Sequence, residues 1–394
     1  MNNHQSEEQL GADYPDTPIG LDNLARLYYS QGRYSEAEVL YKRSLLIREE
    51  QLGADHPDTA SSLNNLAYLY QQQGRYSEVE PLLKRSLLIY EQQLGADHPS
   101  TATSLSNLAK LYRAQGRYSE AEPLYKRSLL IREQQLGADH PFTAGSLNNL
   151  AELYRAQGRY SEAEPLLKRS LSIIEKQLGA DHPDTGVSYG NLAGLYELQE
   201  RYNEAEPLRK QALAIHERGL GENHPYVATG LNNLAELYRS QGRYSEAEPL
   251  YKRSLSIIEE RLGADHPDTA SSLNNLALLY DDMGRYSEAE LLYKRSLLIR
   301  EEQLGTDHPD TGKSCYGLAY LYSLQNRYSE AESFYIRAVV ILLNTLGQDH
   351  PDTQSCINNF VECLRKIVKA GQRGLLSSHP RTQNILAAID RGEL

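Results

Sequence analysis

The sequence predicts an all-α fold, a right-handed superhelical solenoid of helix–turn–helix repeats, and three observations support this. Proline recurs every 42 residues, from Pro15 to Pro351. A Leu-Gly pair keeps the same period, and so does a Gly-Arg-Tyr triplet such as residues 32–34. A period between about 20 and 50 residues is typical of solenoids and propellers. No segment alternates between apolar and polar residues with a period of two, which excludes the strands of a propeller.

Each unit has the signals of two helices, as residues 57–98 illustrate. Asp58 and Thr59, directly after the proline, are residue types that can cap a first helix. Gly74 can end that helix, because glycine accepts the left-handed conformation. The segment 77–80 has the spacing of a capping box and predicts the start of the second helix. Pro81 falls near the fourth helical position, where a proline costs little.

The repeat pattern predicts three segments. Residues 1–14 are the end of a partial repeat, and residues 15–350 are eight repeats of 42 residues. Residues 351–394 contain a ninth first helix and a short helix expected near residues 382–389. That short helix is either a polar cap on the last repeat or a tail for a partner, and a cap agrees with the needs of repeat arrays.

Charge and composition exclude several classes of protein. The 394 residues carry a formal charge of −12, which is opposite in sign to the charge that nucleic acid binding requires. Three cysteines, Cys315, Cys356 and Cys363, are too few for a disulfide scaffold and fit a reducing compartment. The first residues lack the features of a signal peptide, and no apolar run is long enough to cross a bilayer. We therefore expect a soluble, cytoplasmic protein without nucleic acid partners or membrane insertion.

The repeats resemble those of a known family. Asn65-Leu66-Ala67, Tyr70 and Gly74-x-Tyr76 match the tetratricopeptide pattern. The longer unit that ends in Leu-Gly-x-Asp-His-Pro, as at residues 178–183, is similar to the kinesin light chain class. The resemblance implies stacked helical hairpins that bind peptides in a groove. It does not imply motor attachment, since the sequence shows no heptad segment of the kind that joins light chains to the motor.

In such stacks the first helix of each hairpin lines a concave groove. In the second repeat, positions 61, 64, 68 and 71 follow 3-4-3 spacing and share one helix face that large apolar residues mostly avoid. We expect this face, repeated along the array, to bind a protein or peptide. The candidate groove residues are Asn64, Tyr68, Gln71, Lys110, Arg113, Asn148, Glu152, Arg155, Asn232, Glu236, Arg239, Asn274 and Asp281.

Two ladders of asparagine follow the array. The groove ladder comprises Asn64, Asn148, Asn232, Asn274 and Asn358. A carboxamide both donates and accepts, so this ladder can hold the backbone of an extended peptide; the resemblance implies the same, and a plain polar surface is the alternative. A second ladder lies one residue further on, and its regularity predicts structural bonds between hairpins. Its members are Asn23, Asn65, Asn107, Asn149, Asn191, Asn233, Asn275 and Asn359.

The charged groove residues differ along the array. Lys110, Arg113 and Arg155 cluster in repeats three and four, whereas Glu197, Glu236, Asp281 and Asp282 lie in repeats five to seven. This distribution fits a ligand with acidic residues at one end and basic residues at the other. Scattered surface charge is the alternative, because exposed pairs contribute little individually.

Repeat five departs from the others. It has Gly190 and Gly194 within its first helix, Glu200 in place of the usual glycine, and Arg209 in place of tyrosine or leucine. Glycine inside a helix costs roughly 0.5–1 kcal/mol. The sequence therefore predicts either a soft point in the array or simple drift in a tolerant repeat.

Motifs that suggest chemistry have structural interpretations here. The histidines of the His-Pro pairs occur once per repeat, and helix spacings of 8–10 Å keep them too far apart to share a metal ion. Gly312-Lys313-Ser314 lacks the earlier glycine of a phosphate-binding loop, since that position is Asp307. We expect no cofactor, no metal and no enzymatic activity.

The sequence thus predicts a protein–protein interaction scaffold. An alternative is a sensor or ligand-binding array derived from a larger regulatory, ATPase-linked signalling protein.

Overall fold

The computed structural model describes residues 17–391, and these residues form helices and turns without a strand. The first helices of successive repeats are α1 (Pro18–Ser30), α3 (Pro57–Gln72), α5 (Pro99–Ala114), α7 (Pro141–Ala156), α9 (Pro183–Leu198), α11 (Pro225–Ser240), α13 (Pro267–Asp282), α15 (Pro309–Leu324) and α17 (Pro351–Lys369). The second helices are α2 (Tyr34–Leu52), α4 (Tyr76–Gln93), α6 (Tyr118–Leu136), α8 (Tyr160–Leu178), α10 (Tyr202–Leu220), α12 (Tyr244–Leu262), α14 (Tyr286–Leu304) and α16 (Tyr328–Leu346). A short 3₁₀ turn, Arg373–Leu375, precedes α18 (Pro380–Arg391).

The chain divides into two compact units, residues 1–230 and 231–394, with the boundary inside α11. In the first unit α3 packs on α4, α5 on α6 and α7 on α8, and the second helices α2, α4, α6 and α8 also pack on the first helix of the next repeat. The same pairing joins α13 to α14 and α15 to α16 in the second unit. These contacts confirm the predicted all-α solenoid of helix–turn–helix repeats. The predicted end of a partial repeat, residues 1–14, lies outside the described residues.

From α3 onward, the histidine that precedes the proline of each first helix caps that helix, and this corrects the prediction for Asp58 and Thr59. His56 is the N-cap of α3, and its side-chain Nδ1 accepts a hydrogen bond from the backbone N–H of Asp58 at 3.2 Å. Thr59 is buried instead, and its hydroxyl donates to the carbonyl of Gly53 at 2.9 Å. The histidine therefore supplies the acceptor that the first-turn amides need.

The turn between the two helices contains the predicted glycine but not the predicted capping box. Gly74 has a φ of 69°, in the left-handed region. Arg75 is the N-cap of α4 and makes no side-chain cap bond. Glu78 accepts from the Arg75 Nε at 2.6 Å, and Glu80, the acidic residue of the predicted box, accepts from the Arg117 Nη1 at 2.7 Å.

The same arginine links neighbouring repeats. Its guanidinium lies 3.8 Å from the centroid of the Tyr70 ring, and its Nη1 donates to Glu38 of the preceding repeat at 2.7 Å. The stacking and the charge-assisted bond together fix one hairpin against the next. Equivalent bridges join Arg117 to Glu80, Arg159 to Glu122 and Arg201 to Glu164 in the first unit, and Arg285 to Glu248 and Arg327 to Glu290 in the second.

Buried side chains close each hairpin. In the second repeat Leu63 and Ile89 belong to one apolar cluster, and the buried Ser86 hydroxyl donates to the carbonyl of Ala60 at 3.0 Å. This bond satisfies a polar group that would otherwise be costly to bury. Pro81 is the sixth residue of α4, later than predicted, and the helix continues through it.

Helix α18 packs against both α16 and α17. Glu332 of α16 is 2% exposed, and it accepts hydrogen bonds from the backbone N–H of Ser377 at 2.8 Å and from the hydroxyls of Ser377 and Thr382, both at 2.6 Å. One buried carboxylate of repeat eight therefore holds both Thr382, within α18, and Ser377, just before it. This geometry supports the proposal that α18 caps the array.

Glu200 is the residue whose replacement we expect to stabilise repeat five. It has a φ of 58° at the turn where most repeats have glycine. A side chain in the left-handed region costs about 1–2 kcal/mol. We expect Glu200→Gly to raise the free energy of unfolding by about 1 kcal/mol, after the greater freedom of glycine in the unfolded chain is counted. Urea unfolding followed by circular dichroism measures this difference.

Asn326 provides the matched control for Glu200. Its φ is 59° at the equivalent turn, but asparagine tolerates this conformation better. The Tyr328 hydroxyl also donates to its Oδ1 at 2.6 Å. Asn326→Gly should therefore gain less than Glu200→Gly, and an equal or larger gain would contradict the strain assigned to Glu200.

Candidate binding surface on the first helices

The first helices of successive repeats contact one another, α3 with α5 and α5 with α7 in the first unit, and α13 with α15 and α15 with α17 in the second. Their free sides therefore form a continuous surface within each unit. We call it the first-helix face, defined by positions 61, 64, 68 and 71 of repeat two and their equivalents. The thirteen predicted groove residues all lie on first helices.

A small pocket brings four of the predicted residues together in the first unit. It has a volume of about 60 Å³, and its lining includes Asn64, Tyr68, Gln71 and Lys110. Tyr68 is 49% exposed, so its ring presents an apolar surface to solvent beside polar neighbours. This pocket is large enough for water or the edge of a side chain, but not for a whole ligand.

The groove asparagines have unused acceptors. The Oδ1 atoms of Asn64, Asn148 and Asn274 are buried, and none has a hydrogen-bond partner within residues 17–391. Buried polar atoms are normally paired, because an unpaired one costs about 1–3 kcal/mol. These three atoms are closed to solvent, so a ligand can donate to one of them only after its carboxamide rotates toward the first-helix face.

The second asparagine ladder makes bonds between repeats in the second unit. Asn275 donates its Nδ2 hydrogen to Asn232 Oδ1 at 2.9 Å, and Asn359 donates to the Tyr316 hydroxyl. Both bonds link a residue of this ladder to the groove position of the preceding repeat. They agree with the structural role predicted for the ladder, and they occupy the acceptor of Asn232.

Several groove charges are neutralised by partners within the same unit. In the first unit the Arg155 Nη2 donates to Glu152 at 2.5 Å. In the second, Arg239 donates to both Glu236 and Asp282, each at 2.6 Å. Burial opposes ionisation of Glu236, but the Arg239 guanidinium outweighs it and lowers the pKa of this carboxyl. The groove is therefore less polarised than the sequence alone suggested.

In repeat five, Arg209 packs against the first helix and forms hydrogen bonds with it. The Arg209 guanidinium bonds both carboxylate oxygens of Glu197, at 2.7 and 2.9 Å, and the carbonyl of Gly190 at 3.0 Å. A Cβ atom at Gly194 would lie 3.2 Å from the Arg209 Nη2. Gly194 thus makes room for the arginine, which replaces the usual tyrosine or leucine, whereas a Cβ atom at Gly190 would lie 3.6 Å from the Arg209 Nη1, an ordinary contact. The soft point and the drift in a tolerant repeat both stay predictions.

Asp281 is the most buried of the predicted groove residues. It is 6% exposed, the Tyr293 hydroxyl donates to its Oδ2 at 3.0 Å, and its Oδ1 has no partner among the described residues. Burial raises the pKa of the Asp281 carboxyl to about 7. This residue therefore contributes little to the exposed charge of the groove.

A larger pocket lies in the second unit, between repeats seven and nine. Its volume is about 470 Å³, within the range of ligand sites. The lining residues are Asn274, Leu278, Tyr293, Lys313, Tyr316, Gly317, Tyr320, Leu342, Asp352, Ser355 and Asn359. We call it the tyrosine pocket.

Only one of the predicted groove residues, Asn274, lines the tyrosine pocket. The signal that could have found it is a departure from the repeat pattern: Tyr316 and Gly317 stand where most repeats have two asparagines. A Cβ atom at residue 317 would lie 2.8 Å from the Tyr293 ring, so glycine is required for this packing.

The cysteines and the possible metal ligands show no sign of a reactive site in the described part of the chain. Burial raises the pKa of the Cys315 and Cys356 thiols to about 12, which keeps both unreactive. Within the described part of the chain, no group of three or more histidine, cysteine or acidic residues is placed to hold a metal ion. No helix among those described has the length and apolar character needed to cross a membrane.

Stacked helical hairpins with polar first-helix faces define a class of repeat proteins. The family model named tetratricopeptide repeat matches residues 16–92, 80–134, 112–176, 142–218, 184–260, 226–302 and 292–344. The chain belongs to the tetratricopeptide repeat family, whose repeats generally mediate protein–protein interactions. Its repeats are of the kinesin light chain-like type.

Solved structures with similar repeats have been found in two organisms. A putative kinesin light chain from Podospora anserina with nearly identical repeats is 31% identical, and the alignment covers 52% of this chain and 97% of that one with a TM-score of 0.43. A singly substituted form of that protein gives the same identity and coverage with a TM-score of 0.44. BtubC (BKLC) from P. vanneervenii is 27% identical over 60% of this chain and 92% of that one, with a TM-score of 0.45. No curated protein matches the chain.

Proposed function

We propose that this protein is an interaction scaffold whose first-helix face binds an extended segment of a partner protein. The observation that carries the proposal is that asparagines on the first-helix face of each unit have an Oδ1 without a partner among the described residues, Asn64 and Asn148 in the first unit and Asn274 in the second. An extended chain offers backbone N–H donors at regular intervals, whatever its sequence. Each new bond contributes about 0.5–1.5 kcal/mol, so several bonds along the face add up to useful affinity.

A peptide-retention experiment tests the proposal. A random library of acetylated twelve-residue peptides is passed over the immobilised protein, and retained peptides are measured by mass spectrometry. An extended peptide of about this length spans several repeats. We expect retention to fall at least about tenfold when Asn64, Asn148 and Asn274 are all replaced by alanine, because peptides on the first unit lose two bonds and peptides on the second unit lose one.

Three exposed lysines on second helices provide the matched control. Lys84, Lys168 and Lys294 occupy one repeat position and are 57%, 55% and 54% exposed. Their triple alanine variant should retain the library as well as the unmodified protein does. Equal loss in both variants, or no retention by the unmodified protein, would refute the proposed binding face.

A further inference from the structure

We propose that Arg132, on the second helix α6, binds an acidic side chain, aspartate or glutamate, of the partner segment. This inference rests on the proposed function, since the partner segment must lie on the first-helix face to reach the arginine. It adds a specificity for charge that the groove ladder of asparagines, which contacts any backbone alike, does not supply.

The guanidinium of Arg132 bonds the first helices of repeats three and four. Its Nη1 donates to the carbonyl of Phe142 at 3.1 Å and to the Ser146 hydroxyl at 2.9 Å. Its Nη2 donates to the Thr103 hydroxyl at 3.3 Å. Arginine has five N–H donors, so the Nε hydrogen and one Nη2 hydrogen have no acceptor among the described residues. The three acceptors are uncharged, and the side chain is partly exposed.

Arg300 occupies the same repeat position as Arg132 and makes the same three bonds. Its Nη1 donates to the carbonyl of Asp310 at 3.0 Å and to the Ser314 hydroxyl at 2.8 Å. Its Nη2 donates to the Ser271 hydroxyl at 3.1 Å. The two guanidinium groups therefore have equivalent places in the fold, and they differ only through side chains that differ between the repeats.

Arg300 has two acidic neighbours that Arg132 lacks. Burial lowers the pKa of Arg300, and the charges of Asp310 and Asp268 oppose that change. Beside Arg132 both acids are replaced, because repeat three has serine and repeat four has Phe142 at this position. Burial also lowers the pKa of Arg132, and among the described residues no acidic side chain opposes the change. A carboxylate of the bound partner can therefore take the place that an aspartate has beside Arg300.

Gly145 leaves Arg132 open toward the first-helix face. It occupies one of the positions that define this face, and a Cβ atom there would meet nothing within 4 Å. Repeat eight has Lys313 at the same position, and Arg300 is only 6% exposed. Gly145 precedes Asn148 by one helical turn on the same face, so a segment that contacts Asn148 passes beside this arginine.

The surrounding first helices also favour an acidic segment. Helices α5 and α7 carry three basic residues, Lys110, Arg113 and Arg155, against one acidic residue. That residue, Glu152, already accepts from the Arg155 Nη2 at 2.5 Å. This positive region belongs to a chain whose net charge is −12. Its charges lie further along the face and attract an acidic segment as a whole, whereas Arg132 contacts one side chain of it.

Fluorescence polarisation of labelled twelve-residue peptides tests the inference. Each peptide has acetylated and amidated ends and one tested residue, glutamate, glutamine, lysine or leucine, in a background of alanine, serine and glycine. We expect glutamate peptides to bind the full-length protein at least about fivefold more tightly than glutamine peptides, which have nearly the same shape without the charge. Lysine peptides should bind no better than glutamine peptides.

Phe142→Asp places a carboxylate of the chain itself beside Arg132, as in repeat eight. We expect this variant to lower the preference for glutamate over glutamine at least about threefold, because the guanidinium is then occupied. Phe142→Asn removes the same exposed ring without adding a charge and should keep the preference. Tyr226→Asp adds the same charge at the equivalent position of repeat six, where His216 stands in place of the arginine, and should keep the preference too.

Arg132→Met keeps most of the aliphatic stem, removes the charge and should abolish the preference. Lys110→Ala removes an exposed charge further along the face and should lower the preference less than about twofold. Loss of the preference in Lys110→Ala but not in Arg132→Met would overturn the inference, as would equal binding of glutamate and glutamine peptides. Equal binding leaves the proposed function standing, whereas a failure of every peptide set to bind refutes the proposed function and this inference together.

Discussion

Asp281→Asn is expected to stabilise the protein at pH 8 by about 2 kcal/mol and to have little effect near pH 4. Burial raises the pKa of this carboxyl to about 7 from an ordinary value of 3.8. Between these two values the native protein holds a proton that the unfolded chain has released, so stability falls as the pH rises through the interval. The full difference corresponds to roughly 4 kcal/mol. We expect less, because the asparagine amide is also buried without an assured partner.

Urea unfolding followed by circular dichroism between pH 4 and pH 8 measures this effect. The Tyr293 hydroxyl, which bonds Asp281 at 3.0 Å, can donate to the asparagine oxygen as well. Asp282→Asn is the control: this neighbour is 38% exposed and paired with Arg239, and its loss should not stabilise the protein at any pH in the range. A gain at Asp281 that is the same at pH 4 and pH 8 would show that ionisation is not its cause.

Gly186→Ala is expected to destabilise repeat five by about 1–3 kcal/mol, although alanine is the better helix former. A Cβ atom at this position would lie 2.6 Å from the His216 Nε2. The histidine is 6% exposed, and its Nε2 donates to the carbonyl of Pro183 at 3.0 Å, so the ring has little freedom to move. Overpacking of this kind is relieved only by displacing the ring or the backbone.

The double variant Gly186→Ala with His216→Ile should be more stable than the natural protein by about 1–2 kcal/mol. It reproduces the pair found in repeat four, where Ala144 and Ile174 share one apolar cluster. It also removes the His216 Nδ1, which is buried and has no hydrogen-bond partner among the described residues. His216→Ile alone leaves a gap beside the glycine and is expected to be nearly neutral.

The two substitutions should therefore be strongly non-additive, as expected for residues in direct contact. Urea unfolding of the natural protein, both single variants and the double variant gives the coupling free energy. A coupling below about 0.5 kcal/mol would mean that the histidine does not occupy the space the glycine provides.

The periodic pattern of the sequence was sufficient to predict the helices. It was not sufficient to predict the side-chain bonds between them. Proline at the first helical position and glycine at Gly74 predicted each helix and turn because these residues act locally. His56 was missed as a cap, since histidine is not among the usual N-cap residues. The Arg75–Glu38 bridge spans 37 residues, and no local pattern indicates which acidic residue an arginine reaches.

The candidate surface was predicted by position, while its local character was not. The first-helix spacing located Asn64 and Asn274 on the correct helices, but it did not show that Arg155, Glu236 and Arg239 would pair within their own unit. Those pairings depend on side-chain rotamers. The tyrosine pocket depends on residues at which repeat eight differs from the others, Tyr316 and Gly317, whereas a repeat pattern indicates only what the repeats share.

The arginine bridges allow the number of repeats to change during evolution. Each bridge joins an arginine to a glutamate of the preceding repeat at the same sequence spacing. A repeat therefore supplies the arginine of one such joint and the glutamate of the next. Unequal recombination that adds or deletes a whole 42-residue unit leaves every remaining joint complete. The length of the array is therefore free to vary, whereas a shift by part of a unit would break the joint where it occurs.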